Sequence, residues 1–350
     1  CAVIVVDDLR VTRDWGSLGA NAVVNPVFER KDLLDVLVEH ASEITRGDAV
    51  PGETSVVPES AWRAAVAMVC GPGGAGTSTA AIALAQALGE DVRFGGMVLL
   101  ADFARNGEQA MLHDARDVVP GVQELVDAHR ATRPSIDEVR NLTFTVEERR
   151  YRLLLGLRRA RNWSALRPRA FAAGLDSLCR GWRALVCDVD ADLEGEDDGG
   201  SIDVEERNVM ARTVAARADV VFAVGVAGMK GIHSLVRVVG DLVDHGVPAD
   251  RIVPVVNRAP KSARARAEIT AAVAELLQGR AGGVSTAAPV FLPERRVDEA
   301  LRDGVRLPHQ LSGPLAGAFA AVLERSGSRI EIEPVPVAVG SLGSWTAETA

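Results

Sequence analysis

The stretch Gly71-Pro72-Gly73-Gly74-Ala75-Gly76-Thr77-Ser78-Thr79 constrains this chain more than any other. It fits the frame G-x-x-x-x-G-K-[S/T] at Gly71, Gly76 and Ser78, with Thr77 in place of the lysine. Its flanks matter as much as the motif. Ala65-Val66-Ala67-Met68-Val69-Cys70 is short, apolar and partly β-branched, which predicts a buried parallel strand. The run Ala80–Leu88 consists of strong helix formers with no breaker before Gly89. Strand, glycine loop and helix in that order turn backbone N–H groups inward as an anion nest, and the helix N-terminus adds positive potential. The stretch therefore reads as a phosphate-binding loop, contacting its ligand through Gly71, Gly73, Gly74, Ala75, Gly76, Thr77, Ser78 and Thr79. Ser78 is placed to ligate Mg²⁺, whereas Thr77 donates one hydrogen bond and carries no charge.

Lysine is scarce throughout: Lys31, Lys230 and Lys261 stand against 36 arginines among 350 residues. Abundant Ala, Val and Gly point to GC-rich coding, which explains part of the scarcity. It does not make the loop whole, because arginine does not replace a point charge on phosphate. The net charge of −9 is concentrated. Asp188–Glu206 holds ten acids and no base, and the remainder is nearly neutral, which argues against a general polyanion-binding surface. Within that run Asp188-x-Asp190-x-Asp192 imitates a Ca²⁺ loop. Leu193 stands where glycine is required and Gly199 where glutamate is, so the run reads as a solvated acidic loop. Arg149–Arg169 carries eight arginines with Tyr151 and Trp163. Tyr151–Leu157 also reads as a core strand, which leaves the other arginines in flanking loops, with intermolecular salt bridging to an acidic loop as a variant.

Four cysteines without CxxC spacing and six histidines without metal spacing predict a reduced, cytoplasmic protein. No signal peptide and no apolar run of transmembrane length is evident, and a chain starting at Cys1 reads as truncated or processed.

Two strands end in carboxylates, Val98–Asp102 and Trp182–Asp188, and a third, Ile252–Asn257, ends in an amide. Asp102 and Asp188 beside a phosphate loop are placed to hold Mg²⁺ through water. Asn257 offers a donor and an acceptor suited to a purine edge. Alternating strands and helices from Trp62 to about Arg325 predict a doubly wound, mostly parallel α/β sheet, with strands near 65–70, 97–101, 151–157, 183–188, 219–225, 251–257 and 288–292. Residues 1–43 form a small α/β unit, 44–61 a polar linker, 62–325 the main domain and 326–350 a flexible tail.

The small unit resembles the second half of a response-regulator receiver domain, with Asn25 where that family carries lysine and no phosphoacceptor half. The main domain resembles the MinD/ParA superfamily of P-loop ATPases, closest to its CpaE/TadZ-like branch. The superfamily's loop lies on Pro72–Thr79, its first switch on Asp102-Phe103-Ala104, its Walker B aspartate on Asp188, its adenine-contacting asparagine on Asn257 and its base-side loop on Pro293. This resemblance implies ATP or ADP binding with Mg²⁺, a homodimer, and a role in placing pilus, secretion or division machinery at the inner face of the membrane or a cell pole. It also exposes three departures. Pro72 replaces the lysine that reaches across the dimer, Thr77 the loop lysine, and Ala104 the aspartate that positions the attacking water. All three groups act on the transition state, so hydrolysis is expected to be weak or absent. Lys230 lies near a loop where it could substitute in space. Two alternatives stay open: a scaffold that binds no nucleotide, and a partition or septum-placement ATPase. The latter calls for a basic DNA face or an amphipathic anchor, neither of which is evident.

Overall fold

The computed structural model describes residues 4–7, 14–15, 20–40, 63–196, 201–279 and 283–326. The chain divides into two units, Cys1–Glu59 and Ser60–Ala350. The proposed linker and, beyond Ser326, the proposed tail lie outside the described residues.

In the first unit, β1 (Ile4–Val6) and β2 (Ala22–Val24) pair in parallel, with Ile4 opposite Ala22, and α1 (Arg30–His40) follows. The Asn25 side chain accepts from the Val27 N–H at 3.0 Å and so shapes the turn out of β2. The Asp7 carboxylate accepts from the Trp15 indole at 2.5 Å.

In the second unit, chain order is β3 (Ala65–Cys70), α2 (Thr77–Glu90), β4 (Val98–Phe103), α3 (Gln109–Leu112), α4 (Val122–Ala131), α5 (Ile136–Arg140), β5 (Phe144–Val146) and β6 (Tyr151–Leu154). Then come α6 (Pro168–Gly181), β7 (Ala184–Val189), α7 (Ile202–Arg207), α8 (Val209–Ala215), β8 (Val220–Val226), α9 (Met229–Asp244) and β9 (Ile252–Ala259). The series ends with α10 (Ala263–Gln278), β10 (Val290–Pro293), α11 (Asp298–Arg302) and α12 (His309–Arg325). The strands form one sheet in the order β10-β9-β8-β3-β7-β4-β6-β5. It is the mostly parallel sheet expected from the alternation of elements. The exception is β5, which lies antiparallel on β6 with Val146 opposite Tyr151. Its residues are too few and too exposed to carry a period of two, which is why the sequence pattern does not reveal it.

Side-chain alternation divides the core between the two faces of the sheet. On β3, Val66, Met68 and Cys70 pack with α6, α8 and α9, while Ala65, Ala67 and Val69 face α2 and α12. The thiols of Cys70, Cys179 and Cys187 are free and buried; burial pushes Cys70 up to about 12 and Cys179 up to about 11, so neither is a nucleophile at neutral pH. Strand β3 lies between β7 and β8, so the chain departs to both sides of it. Its C-terminal end is therefore the switch point at which open α/β sheets form their crevice.

Two ties hold the C-terminal elements to this sheet. Gln86 on α2 donates to the Leu307 carbonyl at 3.1 Å and accepts from the Leu307 N–H at 2.7 Å. Arg149, which the sequence reading assigns to a flanking loop, is fully buried instead. Its guanidinium donates to the carbonyls of Val305 at 3.0 Å and Ala300 at 2.8 Å. Two further members of the arginine-rich run are also engaged. Arg152 donates to Thr143, Thr145 and Arg140, and Arg158 pairs with Glu124. At this part of the surface the run is thus partly consumed by the fold.

Near the end of α2, a Cβ on Gly89 would lie 2.3 Å from the Arg150 carbonyl oxygen. Gly→Ala within a helix ordinarily stabilises by about 1 kcal/mol. Here the clash is with backbone, and Gly89→Ala is expected to destabilise by about 1–3 kcal/mol in urea denaturation; a stabilised variant would contradict the packing described.

Candidate functional site

The loop joining β3 to α2 is built by close approach. A Cβ on Gly71 would lie 2.3 Å from the Val224 carbonyl oxygen, so only glycine lets the chain leave β3 beneath β8. Gly74 (φ 77°) and Gly76 (φ 88°) are left-handed, a conformation in which an L side chain is strained. Ala75 N–H donates to the Pro72 carbonyl at 3.1 Å and closes the turn. Among the described residues, the N–H groups of Gly73, Gly74, Gly76, Thr77, Ser78 and Thr79 meet no acceptor, and the first bond of α2 runs from Ala80 N–H to the Gly76 carbonyl at 2.9 Å. Open space surrounds the Cβ positions of Gly73 and Gly74. Six free donors around an open concavity at a helix N-terminus form a cradle for an anion.

Asn257 braces this cradle from β9. Its Nδ2 donates to the Ala75 carbonyl at 2.8 Å and lies where a Gly76 Cβ would be, while its Oδ1 accepts from Arg258 N–H at 2.9 Å.

Asp102 and Asp188 face each other across the register of β4 and β7. By alternation they project to the same face as Leu100 and Val186, which is the α2 face. Both are almost completely buried. Asp102 accepts from the N–H groups of Gln109 at 3.1 Å and Ala104 at 3.3 Å, and Gly107 and Gly156 leave room for its carboxylate. The Ser78 hydroxyl lies beside Asp188 and favours its charged form, and Asp188 accepts from Gln109 Nε2 at 2.7 Å. Burial, with Asp188 as neighbour, raises the Asp102 carboxyl well above the usual range. Burial also pushes Asp188 from 3.8 up to about 6, against the pull of the Ser78 hydroxyl and the Gln109 amide. Two buried carboxyls beside a hydroxyl are oxygen donors of the kind a hard divalent cation takes. Among the described residues no group of three or more His, Cys, Asp or Glu side chains could hold a metal ion, so a cation here would complete its shell from water and a ligand.

Gln109 has no counterpart in the sequence reading. It is fully buried, bridges Ser78 O and Asp188 through Nε2, and leaves its Oε1 without a partner. A glutamine in a short helix just past a glycine is not distinguishable by pattern from a surface residue. It also starts a buried chain. His113 is depressed to about 4 by burial and is neutral, and its Nδ1 donates to the Gln109 carbonyl at 2.7 Å. Its Nε2 therefore accepts from the Tyr151 hydroxyl at 2.6 Å.

Among the described residues, the start of the acidic run is held to the protein at Asp190 and Asp192 rather than left wholly to solvent. Arg105, one residue past Ala104, reaches it through its backbone N–H and its Nε, at 3.0 and 2.8 Å from Asp190, with Asp192 at 3.5 Å. Arg207 and Asn208 also hold Asp192. The run then continues into α7. Arginines from outside the run draw it onto the protein, a pairing that counting the charges within the run cannot anticipate.

A cavity of about 360 Å³ opens beside the loop. Gly76 and Thr79 border it on one side, Asn257, Arg258 and Pro293 on another, and Ala83, Leu301 and Leu311 form an apolar floor. The structure thus brings the loop, Asn257 and Pro293 to one cavity and Ser78, Asp102 and Asp188 to the adjoining polar crevice. Lys230 opens α9 at the end of β8, exposed, and does not line the cavity.

This mostly parallel sheet, with the loop at its switch point, matches the fold of ParA-type P-loop proteins of known structure. The structure resembles that of a ParA family ATPase from Chlorobium tepidum (TM-score 0.51, 15% identity, 77% of this chain and 95% of that one). It also resembles the ATP complex of a Cyanothece McdA variant (TM-score 0.52, 18% identity, 76% of this chain and 97% of that one). No protein-family model and no curated protein sequence matches the chain. Among the described residues no helix is long and apolar enough to cross a membrane.

Because Asp188 holds a proton in the folded protein that the unfolded chain releases above 3.8, its contribution to stability falls as pH rises from about 4 through about 6. Asp188→Asn removes this term. Between pH 4 and 7 the parent is expected to lose up to about 3 kcal/mol relative to the variant, read from urea denaturation in metal-free buffer. Equal pH slopes for the two proteins would refute the assignment.

Proposed function

We propose that this chain is a nucleotide-binding positioning protein of the CpaE/TadZ type, which binds ATP or ADP with Mg²⁺ and hydrolyses it weakly or not at all. One observation carries the reading: the binding shell is intact where the hydrolytic groups are missing. The six free N–H donors of the loop remain. Ser78 remains beside Asp188, with Asp102 alongside. These three residues would hold Mg²⁺, which supplies positive charge to the phosphates when bound. Pro72, Thr77 and Ala104 occupy the positions of two lysines and an aspartate that act on the transition state. Such a protein would use nucleotide to set its shape and its pairing with a second copy, and would mark a site at the inner face of the membrane or a cell pole for a pilus, secretion or division machine.

A second reading, a scaffold that needs no nucleotide, is favoured by Arg105. It joins the loops after β4 and β7 through Asp190 and Asp192, holding them together from within the protein with no ligand needed. The fold likeness to ParA and McdA also admits a partition ATPase.

Calorimetric titration of ATP and ADP with Mg²⁺ separates the first two readings. Saturable binding is expected, and Gly76→Val should weaken it at least a hundredfold, because the new side chain meets Asn257 and a left-handed backbone. No saturable binding to the parent would leave the scaffold. Where binding is found, Thr77→Lys combined with Ala104→Asp should raise turnover at least tenfold, each group ordinarily contributing about 10²–10³ in rate. An unchanged rate would argue against assigning the hydrolytic roles to those positions.

A further inference from the structure

The positive charge absent from the loop is present on the wall of the adjoining cavity. Arg258, Arg295 and Arg296 all line it, and all are exposed. None of the three makes a side-chain hydrogen bond or ion pair among the described residues. This sets them apart from Arg105, Arg149 and Arg152, which the fold uses. Two acids share the cavity wall, Glu294 and Asp298, so its balance is positive. The other end of the site has the opposite sign, with Asp102, Asp188 and Asp190 close together and Glu108 adding to the field at Asp188. Charge along the site therefore runs from acidic at Ser78 to basic at the cavity. The two ends meet at Gly76 and Thr79, the loop residues that border the cavity.

We propose that Arg258, Arg295 and Arg296 make this a site that recognises a nucleotide chiefly by the phosphate attached to its ribose, rather than by its terminal phosphates. The inference rests on the nucleotide-binding reading above. A base fits the apolar floor of the cavity, and its first phosphate then falls at the junction, between the free N–H of Thr79 and the arginine wall. Guanidinium groups donate charge-assisted hydrogen bonds to phosphate oxygens, and three unpaired ones supply there what Thr77 cannot supply further along. Any further phosphates meet the loop's N–H groups with no lysine beside them and the acidic end of the site beyond, and so add little without a cation. The ligand class is a nucleoside monophosphate or any nucleotide containing one, and AMP is a competent ligand.

The test is calorimetry with adenosine, AMP, ADP and ATP in metal-free buffer, on the parent chain and on the triple variant R258Q/R295Q/R296Q. AMP is expected to bind the parent within about threefold of ATP, and adenosine at least tenfold more weakly than AMP. In the triple variant AMP should fall to the level of adenosine, and adenosine should stay within about twofold of its parental affinity. The substituted residues are exposed and make no bonds, and an unchanged urea midpoint checks that the fold is retained. Three results would overturn the inference. ATP binding the parent tenfold or more tightly than AMP would place recognition at the distal phosphates. Parental AMP affinity in the triple variant would remove the arginines from recognition, and equal losses for AMP and adenosine would assign them to the base; in both of these the nucleotide reading survives. A parent that binds none of the four, tested also with Mg²⁺, would overturn both readings together.

Discussion

Two carboxylic acids buried side by side, Asp102 and Asp188, are the constraint that organises the rest of the site. Adjacent strand ends bring them together, and a parallel register with alternating side chains aims them at one face. A pair of this kind is unfavourable unless protons, hydrogen-bond donors or a cation compensate it. The neighbouring residues respond to that need. Gly107 and Gly156 clear space, the N–H groups of Ala104 and Gln109 serve Asp102, and the amide of Gln109 serves Asp188, with the Ser78 hydroxyl beside it. The Gln109 carbonyl is in turn held by His113, which Tyr151 holds in its neutral tautomer. The polar interior beneath α2 is thus one connected set of hydrogen bonds. Apart from Gln109 Oε1, its donors and acceptors are accounted for.

The phosphate loop and this acidic pair act through different physics. The loop offers aligned backbone dipoles, which tolerate any anion and do not depend on side-chain chemistry. Losing a lysine there removes charge and leaves the cradle's shape. Losing an aspartate from a switch segment likewise leaves the segment's position, because here Arg105 fastens it to the acidic run. On the function proposed above, binding geometry and catalytic charge would be separable, with the chain keeping the first without the second.

The parallel strands were readable because nearly all of them are apolar runs buried on both faces, and the loop was readable because its glycines answer a steric demand that no other residue meets. Asp102 and Asp188 were readable from their places at strand ends. Other features had no local signature. β5 is a three-residue edge strand whose existence depends on β6. Gln109 matters through partners 31 and 79 positions away. Arg149, Arg105 and the acidic run looked like solvent-facing charge because sequence shows a side chain's sign and not its partners. The amide of Asn257, readable as a purine contact, is seen bracing Ala75 because a strand end and a tight loop converge there.

The ties at Gln86 and Arg149 bear on where this domain can be cut. Each crosses the chain over a long separation and ends on backbone groups between Ala300 and Leu307. A fragment ending before that segment would keep the loop, both aspartates and the central strands. It would also keep a guanidinium in an apolar interior with both carbonyl acceptors removed, at the cost of a desolvated charge without partners. The shortest fragment that can fold thus extends through Leu307, well past the loop and both aspartates, and this C-terminal segment belongs to the domain's foundation rather than to its periphery.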